Sequence, residues 1–391
     1  MSRSAVWGIV ALAVLTGCGQ ADSAGLGPAG GGGSTKLGSC GSETAVFTVM
    51  PVDPADLYGW VPLGQMGPPA HTFPTDHQYL YVNNPTTPSV SPSVPVKSPG
   101  AIHVVRVKRT QYHELDRSDY AIDFQVCKEL LGYFAHLQTL DGSFAAKLGS
   151  FDQGCNSYSP NPGLNVTQCY TRNIDVAIGA GDPIGTSGGI PGVFGLDFGL
   201  YDRRIGPHAF ANPARWASSG DGFDRYHVVA SSDYFAEPAR SAVGQKVGSF
   251  DGSVHRTTAP LGGTIASDIA GSAQGAWFND GLPTSPEGPH LALAPDNVTP
   301  GLQVFSIGLS QPGVASGTWR FTPQGSGLVN RSFAEVTPGP TIYCYEGVMG
   351  GVAFLRLGSA TTLTLEVRNG PATCGAAEPW GFSGASFTYR R

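Results

Sequence analysis

Apolar residues recur along the chain in alternation or in short unbroken runs, at Thr44–Met50, Tyr79–Val82, Ile102–Val107, Tyr120–Val126, Gly132–Leu137 and Phe194–Leu200. Each run has strand length and is closed by Gly, Pro, Asn or Asp, a pattern that predicts β-strands joined by turns. A second series covers Leu302–Leu309, Thr318–Thr322, Thr341–Tyr345, Val352–Leu357, Thr361–Val367 and Ser386–Tyr389. Within it, Thr362-Leu363-Thr364-Leu365-Glu366-Val367 alternates as a strand with one buried face must. One short helix is expected around Val126–Leu131, unless that segment continues the preceding strand. The polar, Gly- and Asn-rich stretch from Asp141 to Arg172 reads as an insertion loop pinned by Cys155 and Cys169. No fixed-period repeat is visible, which disfavours a propeller or solenoid. The expected fold class is all-β in two parts, 44–216 and 226–391, separated by a Gly/Ser/Asp-rich patch at Ala217–Asp224. The second part is expected to be a β-sandwich or small β-barrel of unassigned role.

The N-terminus changes the picture of where this fold works. Arg3, the apolar run Ala5–Leu15 and Leu15-Thr16-Gly17-Cys18 together read as a signal peptide over residues 1–17. The run is too short to span a bilayer. Its last four residues resemble a bacterial lipobox, which implies lipidation of Cys18 and a membrane-anchored, exported lipoprotein. Gly19 in place of Asp mildly favours the outer membrane or cell surface. Residues 18–43 are rich in Gly, Ala and Ser and read as a flexible tether. Charged residues make up only 13% of the chain, with 55 Gly and 31 Pro, a composition that suits short strands better than long solvated helices. The net charge of −6 argues against nucleic acid as a partner. Of seven Cys, six remain after Cys18, and an even number in an oxidising compartment predicts disulfides. Cys344 and Cys374 are expected to pair, whereas Cys40, Cys127, Cys155 and Cys169 allow three pairings. Without a CxxC pair, a thiolate zinc site is not expected.

Four segments in order carry the functional signal: His77-Gln78-Tyr79-Leu80-Tyr81-Val82-Asn83-Asn84-Pro85, Val96-Lys97-Ser98-Pro99-Gly100-Ala101-Ile102, Tyr133-Phe134-Ala135-His136-Leu137, and Ala180–Gly189 followed by Phe194-Gly195-Leu196-Asp197-Phe198. Their order and spacing, over about residues 46–216, resemble the lysostaphin/LytM-like zinc metallopeptidases, which cut peptide cross-links of the bacterial cell wall. The resemblance implies a Gly-rich, mostly antiparallel sheet with the site in a groove on one face. It also implies a zinc with three protein ligands and an open fourth position. His77 matches the first ligand, Tyr81 stands where the Asp ligand belongs, and Asp197 stands where the second His ligand belongs. Gly195 replaces a catalytic His, and His136 matches the catalytic His of the third block.

Two outcomes follow from these replacements. A domain that has lost its ligands serves binding, with peptidoglycan or an envelope protein held in a groove beside Tyr81 and Gly195. Alternatively, Asp197 supplies the carboxylate lost at Tyr81, so that His77, His136 and Asp197 form a rearranged zinc site in a metal-dependent amide hydrolase, with His136 also a candidate base or transition-state stabiliser. His71 and Asp76, in the Pro-rich loop before the strand, are possible substitute ligands. A purely structural surface protein is the third class. The blander expectations are that Asp197 pairs with Arg203 or Arg204, and that His113–Arg117 is a solvated hairpin. His103 falls to that hairpin reading with His113, and His208, His227, His255 and His290 receive no role.

Overall fold

The computed structural model describes residues 37–82, 93–161, 163–188, 195–217, 224–311 and 313–391. The expected signal peptide, Cys18, most of the expected tether, Phe194 and most of the expected boundary patch lie outside the described residues. The first part builds β1 (Gly59–Val61), β2 (His77–Tyr81), β3 (Ser93–Lys97), β4 (Ile102–Tyr112), β5 (Arg117–Cys127), β6 (Leu130–Leu140), α1 (Gly142–Ala145), β7 (Gln153–Asn161), β8 (Leu164–Ile178), β9 (Pro183–Gly188) and β10 (Gly195–Asp202). Short helices α2 (Pro213–Ala217) and α3 (Ala239–Gly244) follow. The second part builds β11 (Gly275–Trp277), β12 (Leu291–Pro295), β13 (Gln303–Ile307), β14 (Gly317–Phe321), β15 (Tyr343–Val348), β16 (Gly351–Ser359), β17 (Thr362–Arg368) and β18 (Phe387–Arg390). The architecture is all-β.

The large sheet runs β1-β2-β10-β6-β5-β4-β8-β7, with β9 bridging β3 and β6. One face is a hydrophobic core: Leu80, Leu196, Phe198, Leu200, Phe134, Ile122 and Phe124 pack against Phe47 and Trp60. Tyr234, Phe235, Val243 and Val247, from beyond the boundary patch, return to this same core. The second part is two antiparallel sheets, β11-β12-β13-β14 and β15-β16-β17-β18. Trp277, Leu293 and Phe305 of one share a core with Tyr345, Leu355 and Leu365 of the other, as in a sandwich. The two parts also meet. Tyr133 and Tyr201 of the large sheet pack with Phe73, Trp216, Phe278, Ala292 and Val304, so the second part covers a portion of the sheet's other face.

Three expectations from the sequence are corrected. Thr44–Met50 forms no strand; Phe47 makes only an isolated bridge with Phe235, giving its N–H to Tyr234 and taking one from Ala236. Val126–Leu131 is not helical: Val126 and Cys127 continue β5, the alternative expected for this segment, and a tight turn at Lys128–Glu129 leads into β6, fixed by the Cys40–Cys127 disulfide and by Glu129 accepting the Cys40 N–H at 2.8 Å. The insertion over 141–172 is not a loop: after α1, capped by Asp141 accepting from Ser143 N at 2.8 Å, β7 and β8 form a hairpin that extends the sheet. Its polar residues are spent on exposed cross-strand bonds such as Ser157 to Thr167, 2.8 Å apart. Cys155–Cys169 closes that hairpin and Cys344–Cys374 closes the second part.

Candidate functional site

Side-chain alternation decides what the site face carries. On β10 Leu196, Phe198 and Leu200 enter the core, which leaves Asp197, Gly199 and Tyr201 on the opposite face. On β2 Leu80 enters the core, which leaves His77, Tyr79 and Tyr81 opposite. Asp197 lies across from Tyr79 on one side and Ala135 on the other. His136 breaks the alternation. Continuing from Phe134, it would point into the core, but its φ is +67° and the register shifts at this point. This bulge sends Leu137, rather than His136, into the core and turns the imidazole to the site face. A non-glycine residue held there marks a position that the surrounding structure enforces.

His77, His136 and Asp197 are thereby brought together from three neighbouring strands. Asp197 Oδ2 lies 3.6 Å from His77 Nε2 and 3.4 Å from His136 Nε2. Each imidazole is braced from behind: His77 Nδ1 is 3.0 Å from Asp76 Oδ1, and His136 Nδ1 is 2.9 Å from Asp119 Oδ2. The braces direct both Nε2 atoms to Asp197, as outer carboxylates do for metal-binding histidines. Among the described residues no group of three or more His, Cys, Asp or Glu is drawn tightly enough around one point to hold an ion as it stands. Yet His77 Nε2 and Asp197 Oδ1 are buried without a hydrogen-bond partner. The two separations exceed ordinary N–H···O distances. They match the edge of a tetrahedral zinc shell, where bonds of about 2.0–2.1 Å put ligand atoms roughly 3.3–3.4 Å apart. Two imidazole nitrogens and a carboxylate oxygen are donors that zinc accepts.

The remaining expected residues fall around this trio. Asp76 is a brace rather than a ligand, since Oδ1 is taken by His77 and Oδ2 lies 3.3 Å from the Tyr201 hydroxyl. The His71 ring meets His77 edge-on at 5.4 Å. Tyr81 and Gly195 are cross-strand partners of each other, and Tyr81 is bound by Gln65 and packed against Phe250 at 5.7 Å. Asp197 pairs with neither expected arginine: Arg203 binds Asp224 at 2.9 Å and Arg204 binds Asp202 at 2.6 Å. His103 and His113 sit on the exposed hairpins, against Asp175 and Thr167. Asp119 and Arg225 are the contributors that sequence reasoning missed. Asp119 begins a strand with no ligand spacing to His136, and Arg225 lies beyond the resemblance.

Burial and neighbouring charge compete here. Burial lowers the His136 pKa, but Asp119 and Asp197 outweigh it and raise it to about 9. The side chain is 36% exposed, so solvent screens part of that attraction. His77 follows the same balance, with burial opposed by Asp197 and Asp76, and is raised. Burial would raise Asp76, yet the Arg225 guanidinium and His77 hold it below the usual carboxylate range. His71 is lowered to about 3 by burial and by the neighbouring His77. Arg225 is tied to Glu287 by a buried 2.7 Å ion pair, and Glu287 also accepts the Phe73 N–H at 2.9 Å. The second part thus anchors the loop that leads into His77.

Comparison with known proteins adds no relative: no family model, no curated protein and no solved structure matches the chain.

Proposed function

We propose that this chain is an envelope-anchored, metal-dependent hydrolase of peptide amide bonds, with His77, His136 and Asp197 as the donors for a zinc ion. The observation that carries the reading is a single carboxylate oxygen flanked at 3.6 and 3.4 Å by the Nε2 atoms of two braced imidazoles. The buried, unpartnered His77 Nε2 and Asp197 Oδ1 support it, because orphaned buried polar atoms are costly unless a ligand satisfies them. When bound, zinc would polarise a carbonyl and lower the pKa of a coordinated water. Asp76 and Asp119 hold the Nδ1 protons, so the proton that zinc would displace is the one on each Nε2 facing Asp197. The second part, packed over Tyr133 and Tyr201, keeps water from one side of the site. The resemblance to lysostaphin/LytM-like peptidases supports cell-wall peptides as the substrate, and the lipobox supports placement at the membrane through Cys18.

The test is zinc content of the purified chain beside His77→Ala and Asp197→Ala, with hydrolysis of cell-wall peptides. About one zinc per chain that disappears in both variants, together with cleavage that follows the zinc, is the expected result. Well under one zinc per chain, even after incubation with excess metal, would reject the hydrolase. That result would favour the second reading, a binding domain, for which the specific observation is Gly195: no imidazole stands at the position where the resemblance puts a catalytic His.

A further inference from the structure

The site face continues past His136 into a small pocket lined by Tyr112, Arg117, Asp119, His136, Gln138 and Gly188. Two of these side chains carry a buried polar atom without a partner: Arg117 Nε, a donor, and Gln138 Oε1, an acceptor. Asp119 is committed to His136 through Oδ2. The Arg117 guanidinium lies over the Tyr112 ring, 5.0 Å from its centroid, across the first residue pair of the β4–β5 hairpin. Stacking of this kind fixes the plane of the guanidinium and so pre-orients its donors. A pre-oriented guanidinium with an unspent N–H suits a carboxylate, the group whose geometry its fork matches. An unspent amide oxygen in the same pocket suits an N–H donor. A free carboxylate and an adjacent amide N–H occur together at the C-terminus of a peptide.

We propose that this pocket binds the C-terminal carboxylate of the substrate, with Arg117 holding the anion and Gln138 Oε1 accepting the amide N–H of the terminal residue. The proposal rests on the hydrolase reading for its meaning, because the pocket shares His136 with the zinc donors. It narrows the substrate class from peptide amides in general to peptides with a free C-terminus close to the scissile bond. The pocket is small, about 20 Å³, which suits a terminal group and not a further stretch of chain. Arg117 and Gln138 are then specificity residues.

The test is equilibrium binding to the metal-free chain, which does not depend on catalysis. The probes are N-acetylalanine, its amide N-acetylalaninamide, and the α-amide of N-acetylaspartic acid, in which only the side-chain carboxylate is free. N-acetylalanine is expected to bind at least about tenfold more tightly than the amide, the scale of a hydrogen bond to a charged group. The side-chain carboxylate probe is expected to bind like the amide. Arg117→Gln should abolish the preference and Arg117→Lys should keep only part of it, which covers the case in which the first variant fails to fold. Equal binding of acid and amide, a side-chain carboxylate bound as well as the terminal one, or a preference that survives in either Arg117 variant at full size would overturn the proposal. His77→Ala should retain the preference while losing zinc. Absence of zinc from the wild type therefore counts against the hydrolase reading alone, and absence of the preference against this pocket alone.

Discussion

Asp119 Oδ2 meets His136 Nδ1 at 2.9 Å, and this contact decides which ring nitrogen faces Asp197. The carboxylate comes from β5 and the imidazole from the adjacent β6, at the point where the bulge turns His136 out of the core. An anion behind the ring also strengthens Nε2 as a donor. The contact therefore links a local backbone irregularity to the orientation of a proposed metal ligand.

The first prediction concerns that brace. Asp119→Asn keeps the shape and an acceptor oxygen but removes the charge. Zinc affinity, measured by competition with a chromophoric chelator, should fall roughly 10–100-fold, the usual effect of removing such a support. The fold should be retained, because the side chain is on the solvent-facing side of the sheet and is 21% exposed. Unchanged affinity would mean that His136 is not a ligand.

A second prediction separates two glycines on β10. A methyl group at Gly199 would overlap the Tyr133 ring, whereas one at Gly195 meets only the Leu80 carbonyl oxygen at 3.5 Å, an ordinary contact. Gly199→Ala should cost about 1–3 kcal/mol by overpacking. Gly195→Ala should be neutral or stabilising by up to about 1 kcal/mol, since a strand interior gains from losing glycine's freedom. Urea unfolding of the two variants checks the ordering, and equal stabilities would contradict the packing of Tyr133 against β10.

How much of this was legible in the sequence differs between fold and site. Strands such as Thr362–Val367 declare themselves because one face is buried and the other is not, so alternation is written into the residues. Thr44–Met50 alternates equally well yet forms no strand, because burial of Phe47 needs only a single bridge to Phe235 and periodicity does not reveal whether a pairing partner exists. The 141–172 hairpin was hidden for the opposite reason: its ladder is polar and disulfide-bonded, with little apolar alternation to detect. At the site, residue identity brought His77, His136 and Asp197 into view through the resemblance. Their convergence was invisible, since it depends on the β2-β10-β6 strand order and on the left-handed turn at His136, which reverses the parity counted from Phe134. Asp119 and Arg225 escaped because a brace needs only the right register, not a sequence spacing.

The third prediction tests the anchor supplied by the second part. Glu287 and Arg225 are 8% and 7% exposed, and removing one member of a buried pair leaves the other charge uncompensated. Glu287→Ala should therefore lower stability by roughly 3–5 kcal/mol. It also frees the Phe73 N–H and removes the group that restrains Arg225 beside Asp76. Zinc affinity should fall as well, although Glu287 is no ligand. A stable variant with unaltered zinc binding would show that the loop over residues 71–76 is positioned without the second part.

The last prediction is a pH dependence set by His290, which lies away from the proposed zinc donors and is fully buried. Its neutral form is fixed by two bonds: Nδ1 accepts the Asn279 N–H at 3.1 Å, and Nε2 donates to the Pro283 carbonyl at 2.8 Å. Protonation of Nδ1 destroys the first bond and places a charge against Phe73, whose ring is stacked at 5.3 Å. Burial accordingly lowers the pKa to about 4, with Arg215 adding to the effect and the Pro283 carbonyl opposing it. In the unfolded chain the imidazole titrates near 6.5, so the unfolded state takes up its proton first as pH falls. Stability is therefore whole above about 6.5, declines between about 6.5 and 4, and changes no further from this residue below about 4. The full loss corresponds to roughly 3 kcal/mol. A His290→Gln variant, less stable at neutral pH because it packs worse, lacks this loss. The stability gap between wild type and variant, from urea unfolding at about pH 7 and pH 4.5, should shift in the variant's favour by about 2–3 kcal/mol. His71 titrates in both proteins and cancels from the comparison. A gap that stays constant with pH would mean that His290 is charged in the native fold, contrary to its two hydrogen bonds.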